Sequence, residues 1–344
     1  MNLDLPQRRA AAASFVIVAI IAIAGLLASS AQSATGRADD RSAAPFTLAV
    51  IGDTPYGATQ IANFPQDIAE INADPRVRGV VHVGDIKNGS SLCSDSYFAL
   101  IRSHFDTFKD PVVYTPGDNE WTDCYRTNNG SYVPTERLDA IRNVFFDEPG
   151  TTMGQRSKVV NAQAAPFVEN VRWSQSRTVF GTIHVVGSNN NLVPWFGAPT
   201  ASAAQLGEVA AREAAALEWI DTVFDQADAE SAAAVVLAMQ ADMWDPSAQA
   251  VNQISGFDTI VQRIADRASE FERPVLLLQG DSHEYVADQP LASGSPMHGV
   301  TTAAPNVWRV VVQGASSVPH EWLRVQIDPL SKAVFTWKRV PFTS

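Results

Sequence analysis

Four aspartates stand in the same local setting, each directly after a glycine at the end of an apolar run. Leu48–Ile51 leads into Gly52-Asp53, and Val80–Val83 into Gly84-Asp85. Val112–Tyr114 leads through Thr115-Pro116 into Gly117-Asp118, and Val275–Leu278 through Gln279 into Gly280-Asp281. Ordinary glycine usage gives about one Gly-Asp pair in a chain of this size, so four in one setting are an arrangement. Each apolar run closed by such a turn reads as a buried strand. Glycine lets the backbone turn tightly and leaves the aspartate at the strand's carboxyl end, where open α/β sheets place ligands. Carboxylates converging on one edge repel one another unless a cation sits among them. Cation binding is therefore the chemistry these residues suit.

The elements that must hold the turns follow from periodicity. Phe46–Ile51, Val80–Val83 and Val112–Tyr114 read as strands. Helices are expected over Phe64–Asn72, with Pro65 in its first turn, and over Tyr97–Phe108. Residues 125–165 are rich in Asn, Gly, Thr and Ser around a helix at Thr135–Phe146, and read as an insertion or lid over the site. Trp173–Phe180 and Thr182–Val186 read as a hairpin turning at Gly181. Ala204–Ala227 is an alanine-rich helix with Leu217, Ile220, Val223 and Phe224 on one face. Ala233–Met239 is a strand leading to Gln240, and a further helix precedes Val275–Leu278. Val307–Gln313, Leu323–Ile327 and Ala333–Lys338 read as closing strands. The alternation predicts a layered α/β sandwich in one domain over residues 45–344.

At 344 residues, 46% hydrophobic and 18% charged, the chain can bury an ordinary globular core. A formal charge of −12 argues against a nucleic-acid polymer or an anionic membrane surface as partner. It leaves a phosphate-bearing substrate open, because a bound metal reverses the local sign. Arg8 and Arg9 precede the apolar stretch Ala10–Ala28 and the small residues Ser29–Ala34, so residues 1–34 read as an export signal and 35–44 as a linker. The apolar stretch is also just long enough to span a bilayer, so an uncleaved N-terminal anchor is the alternative. The expected location is periplasmic or extracellular. Cys93 and Cys124 read as a disulfide in an exported chain, with two free thiols as the alternative. A bridge closing that loop contributes roughly 3 kcal/mol in the chain-entropy model.

The order Asp53, Gly84-Asp85, Gly117-Asp118-Asn119-Glu120, Gln240 at a strand end, then Gly280-Asp281-Ser282-His283 resembles the calcineurin-like metallophosphoesterase superfamily, which includes the purple acid phosphatases. The resemblance covers residues 46 to about 330. The family pattern is Asp-x-His, Gly-Asp, Gly-Asn-His-Glu, a lone His and Gly-His-x-His, each at a strand end of an αββα four-layer sandwich. It implies that Asp53 is a metal ligand and that Asp85 bridges two metals. Pro55 stands where the first histidine is expected, with Tyr56 beside it. Asp118 takes the place of the ligand asparagine, and Asn119 that of the histidine that aids leaving-group departure. Gln240 replaces the lone histidine, Asp281 the first histidine of the last motif, and His283 is retained.

These replacements make the implied site mostly oxygen with one nitrogen, which suits Mn, Fe, Mg or Ca better than zinc. Two metals there would clamp a phosphoryl group and activate a water as nucleophile. With Asn119 for histidine, Glu120 is the nearest substitute acid, and activated esters should react better than alkyl ones. Lys87 and Asn88 are candidates to face an anionic substrate, a solvated loop being the alternative. Asn189 and Asn190 either hydrogen-bond the substrate or shape a turn. His82 and His184 read as core histidines. Neither a Walker-type phosphate loop nor Gly-x-Ser-x-Gly occurs. Two function classes follow: an exported metal-dependent phosphoesterase of small phosphate esters, and a non-catalytic extracytoplasmic binding protein on the same fold.

Overall fold

Alternation along the strands decides how this chain layers, and the computed structural model describes it over residues 43–343. The expected export segment and nearly all of the linker lie outside the described residues. One sheet contains β1 (Phe46–Ile51), β2 (Val77–His82), β3 (Val112–Tyr114), β11 (Glu321–Ile327) and β12 (Phe335–Pro341), in the order β12-β11-β1-β2-β3. The second contains β4 (Asn161–Ala162), β5 (Val171–Gln175), β6 (Thr178–Thr182), β7 (Ala234–Ala238), β8 (Val275–Gln279), β9 (Val286–Asp288) and β10 (Val307–Val311), in the order β4-β5-β6-β7-β8-β10-β9. β1, β2 and β3 are mutually parallel, as are β6, β7, β8 and β10, so the carboxyl ends of each group share an edge.

Five helices cover the outer faces: α1 (Gly57–Ala73), α2 (Asp95–Phe105), α3 (Pro134–Phe145), α4 (Ala203–Ala229) and α5 (Asp258–Phe271). Phe46, Leu48 and Val50 of β1 pack with Ala234, Val236 and Ala238 of β7 and with Leu276 and Leu278 of β8, between the sheets. The alternate residues Ala49 and Ile51 meet Phe64 and Ile68 of α1, Phe98 and Phe105 of α2 and Phe145 of α3. On the far side, Val235, Leu237, Val275 and Leu277 meet Ile220, Val223 and Phe224 of α4 and Ile260 and Ile264 of α5. The result is the expected αββα sandwich. Ser94 and Ser202 cap α2 and α4 by accepting from the Tyr97 and Gln205 amides. No helix of the described residues is long and apolar enough to cross a membrane.

Three local expectations are corrected. α1 starts at Gly57, so Pro65 lies inside it. Phe64, Ile68 and Ile71 bury one continuous stripe across the proline, and their packing outweighs a helix-interior proline cost of about 3 kcal/mol. The β5–β6 hairpin turns at Ser176-Arg177, whose φ values of 50° and 54° suit a two-residue primed turn. Gly181 lies within β6 because α4 approaches closely; a Cβ there would sit 2.6 Å from Val223 Cγ2. Finally, α3 is no lid: Ile141 and Phe145 are buried in the outer helical layer, and Met153 exchanges backbone hydrogen bonds with Val112 at 2.9 and 3.1 Å.

A buried ion pair ties α3 to the second sheet. Arg142 donates to both Glu169 oxygens at 3.0 and 2.6 Å, and His184 Nδ1 donates to Oε1 at 2.8 Å. Burial alone would raise the Glu169 pKa, but His184 and Arg142 outweigh it and lower it to about 2. Burial also holds His184 below its ordinary value, so at neutral pH its ring donates uncharged and Arg142 supplies the positive charge. A carboxylate with a depressed folded pKa contributes stability that is complete above its unfolded pKa and lost as pH falls through the folded one. Glu169 should therefore contribute on the order of 3 kcal/mol, lost between about pH 4.5 and 2. Urea unfolding of Glu169→Gln against wild type should show that gap at pH 7 and its closure toward pH 2.

Candidate metal centre

Asp53, Asp85, Asp118, Gln240, Asp281 and His283 all follow carboxyl ends of parallel strands: β1, β2, β3, β7 and, for the last two, β8. Asp53, Asp85, Asp281 and His283 have φ of 52°, 57°, 74° and 63°. Left-handed backbone costs a non-glycine residue about 1–2 kcal/mol, and such strain concentrates at functional sites. Main-chain bonds hold these turns against one another. The Asp53 amide donates to Gly84 O at 2.9 Å, Gly280 N to Gln240 O at 2.9 Å, and Ala315 N to Asp53 O at 2.9 Å. Glycine is required where backbone meets carboxylate. A Cβ on Gly117 would lie 2.1 Å from Asp85 Oδ1, and one on Gly187 2.6 Å from Asp281 Oδ1 and 2.8 Å from Asp118 Oδ2.

The donors form two groups that share Asp85. One atom each from Asp53, Asp85 and His283 lie within 4.8 Å of one another, and so do atoms from Asp85, Asp118 and Asp281. Three oxygens in one group and two oxygens with an imidazole in the other fit divalent cations. Ser316 Oγ lies 2.6 Å from His283 Nδ1, which turns Nε2 toward Asp53 Oδ1 at 3.3 Å. Asp53 and Asp85 are fully enclosed, whereas His283 and Asp281 are partly open to solvent.

Electrostatics alone oppose this gathering. Burial first, then Asp118, Glu120, Asp53 and Asp281, push the Asp85 pKa well above the carboxylate range. Asp281 is raised by burial and then by Asp118 and Asp53, and Asp118 is raised by burial although Ser188 and Arg126 oppose it. Neutral donors offset part of the repulsion. Asn119 Nδ2 donates to Asp85 Oδ2 at 2.7 Å, and Ser188 Oγ to Asp118 Oδ2 at 2.8 Å. Gln240 Nε2 donates to Asp118 Oδ1 at 3.2 Å and to Asp281 Oδ1 at 3.0 Å.

Several expected roles change. Gln240 Oε1 accepts from Gly187 N at 2.6 Å, so this amide orients two carboxylates rather than offering its oxygen as a ligand. Asn119 brings an amide to the cluster where an acid was wanted. Glu120 is fully buried, and its Oε1 accepts from the Asp85 and Gly117 amides and the Tyr114 hydroxyl; it braces two Gly-Asp turns and cannot reach a leaving group. Lys87 is also enclosed, with Nζ on Asn119 O at 2.7 Å, and burial pulls its pKa down to about 8. Asn88 Oδ1 accepts from the Ser90 amide and the Ser91 hydroxyl. Asn189 and Asn190 lie in a left-handed turn tied to Gly256, and Asn190 also accepts from Arg212. Lys87 and Asn190 are buried and committed to these contacts, and the Asn88 and Asn189 side chains hold their own turns in place. Cys93 and Cys124 are bridged, tying the Asp85 loop to the Asp118 loop.

Tyr56 is the residue that sequence reasoning passed over. Its hydroxyl lies 3.5 Å from Asp53 Oδ1, 3.3 Å from Asp85 Oδ2 and 3.4 Å from His283 Nε2. Burial and then Asp85 and Asp53 hold its pKa above the ordinary phenol value, so it is a neutral donor. Asp123 was also missed; it shares the Ser188 hydroxyl with Asp118, at 3.0 Å. The signals were a tyrosine three residues after the first aspartate and an acid beside a bridged cysteine.

No family model matches this chain, and no curated protein matches it by sequence. Among solved structures it is similar to a purple acid phosphatase from yellow lupin (Lupinus luteus) seeds, with a TM-score of 0.44, 10% identity and 88% of this chain covered. The chain spans about half of that phosphatase, 54%. It is also similar to GAP50, the anchor in the inner membrane complex of Plasmodium, with a TM-score of 0.44, 8% identity, and 87% of this chain and 90% of that one covered. The sandwich fits the resemblance stated from the motifs.

Crowding at Gly187 supplies a test of the donor geometry. Its Cβ would press on two carboxylates without straining its own backbone. Gly187→Ala should weaken Mn²⁺ binding roughly tenfold or more, as disturbed supporting contacts do. Calorimetric titration beside a melting curve separates that loss from unfolding.

Proposed function

We propose that this chain is an exported, metal-dependent phosphoric ester hydrolase acting on small phosphate esters. The observation that carries the reading is Asp85, which belongs to both three-donor groups. Asp53, Asp85 and His283 would hold one divalent cation, and Asp85, Asp118 and Asp281 another. Such cations supply Lewis-acid activation of water and neutralise phosphoryl charge. The oxygen-rich donors favour Mn, Fe, Mg or Ca over zinc. Ser316 fixes the His283 ring, Asn119 and Gln240 fix the carboxylates, and Glu120 locks the turns that carry Asp85 and Asp118. Asn119 cannot protonate a leaving oxygen as the histidine it replaces would, so esters with weakly basic leaving groups should react fastest. The disulfide supports an oxidising compartment outside the cytoplasm.

Tyr56 favours a second reading. Its hydroxyl reaches all three donors of the first group, so protons and hydrogen bonds could hold the cluster in a non-catalytic extracytoplasmic binding protein. Metal analysis with a p-nitrophenyl phosphate assay separates the two. Wild type with Mn²⁺ should turn over, and Asp85→Asn should lose roughly a hundredfold or more. Absence of turnover with every added cation sinks the hydrolase, and equal rates in both proteins remove Asp85 from it.

A further inference from the structure

Beside the carboxylates lies a set of partly exposed side chains, a cation and two rings. Arg126 follows the short turn Thr122–Tyr125 and pairs with Asp123 Oδ2 at 2.6 Å, while 39% of its side chain stays exposed. A Cβ on Gly89 would lie 2.9 Å from Asn119 Oδ1 and 3.4 Å from Arg126 Nη1. The guanidinium is therefore a neighbour of the amide that clamps Asp85, and part of it is open to solvent.

An aromatic pair continues the rim. Arg126 Cζ is 6.0 Å from the Tyr125 ring centroid, and the Tyr125 and Phe196 rings meet at 5.7 Å. Phe196 is 58% exposed and sits at φ 55°, a conformation that bulky residues adopt at a cost. Its loop is braced: Trp195 Nε1 donates to Asn191 Oδ1 at 2.8 Å, and Gln205 Nε2 to the Asn191 and Val193 carbonyls, both at 2.7 Å. A ring held into solvent on strained backbone by a rigid loop stabilises no part of the described core. It is preformed apolar surface next to a cation, which suits a planar anionic ligand.

We infer that Arg126, Tyr125 and Phe196 form a subsite for aromatic phosphate esters, with Arg126 on a phosphoryl oxygen and the two rings against the leaving group. The inference rests on the hydrolytic reading above and names its substrate class. Leaving-group chemistry points the same way: an aryl oxide departs without a proton donor far more readily than an alkoxide, and Asn119 stands where the resemblance places a histidine that aids departure.

Phenylphosphonate and methylphosphonate, both inert to hydrolysis, separate the subsite from catalysis when titrated into the full chain with Mn²⁺. Phenylphosphonate should bind roughly tenfold tighter. Phe196→Ala should erase that preference and leave methylphosphonate unchanged, and Arg126→Gln should weaken both by roughly tenfold. Equal affinities in wild type, or a phenyl preference that survives Phe196→Ala, overturn the subsite, and continued turnover of p-nitrophenyl phosphate then leaves the hydrolase intact. Binding of neither phosphonate, together with no turnover, overturns both.

Discussion

Mutual repulsion among buried carboxylates is the constraint on which the rest of this structure depends. Asp53, Asp85, Asp118 and Asp281 come from four strand ends spread over more than 220 residues of chain, and Asp53 and Asp85 have almost no contact with solvent. Burial and neighbouring charge each disfavour the ionised form. A fold that only needed stability would separate these groups, since replacing buried charge by apolar contact is often neutral or better. They converge on one edge of two sheets all the same, three of them on left-handed backbone, an arrangement that the proposed cations would stabilise.

The means of convergence are mechanical. Parallel strands in both sheets aim their carboxyl ends the same way, and apolar packing between the sheets fixes their separation. Glycines clear the space that carboxylate oxygens occupy. A layer of neutral donors, Asn119, Gln240, Ser188 and Tyr56, then sets the orientation of each acid. Beneath it, Glu120 and Lys87 are buried charges held by backbone groups, and the Cys93–Cys124 bridge joins the two loops they brace.

What could be read from residues alone follows from range. Gly-Asp after an apolar run is a local signal, and it correctly located four strand ends. The unbroken apolar runs of β7 and β8 mark strands buried on both faces in the same way. Direction was not legible. Lys87 and Glu120 sit two residues from Asp85 and Asp118, yet point into the protein, because that choice is made by contacts with Asn119, Asn129 and Tyr114. Gly181 looked like a turn because only α4, folded against it, reveals that the missing side chain is a packing requirement. Tyr56 was overlooked for the same reason: its hydroxyl gains meaning from Asp85 and His283, far away in sequence.

Asp85 is where these constraints meet, since it belongs to both donor groups and its carboxylate is held by the side-chain and backbone amides of Asn119 and by a phenol. Anomalous diffraction from crystals soaked in manganese chloride tests its role most directly. The account predicts two manganese peaks, one bordered by Asp53, Asp85 and His283 and the other by Asp85, Asp118 and Asp281. A cluster with no peak, or with manganese that leaves both Asp85 oxygens uncontacted, would contradict it.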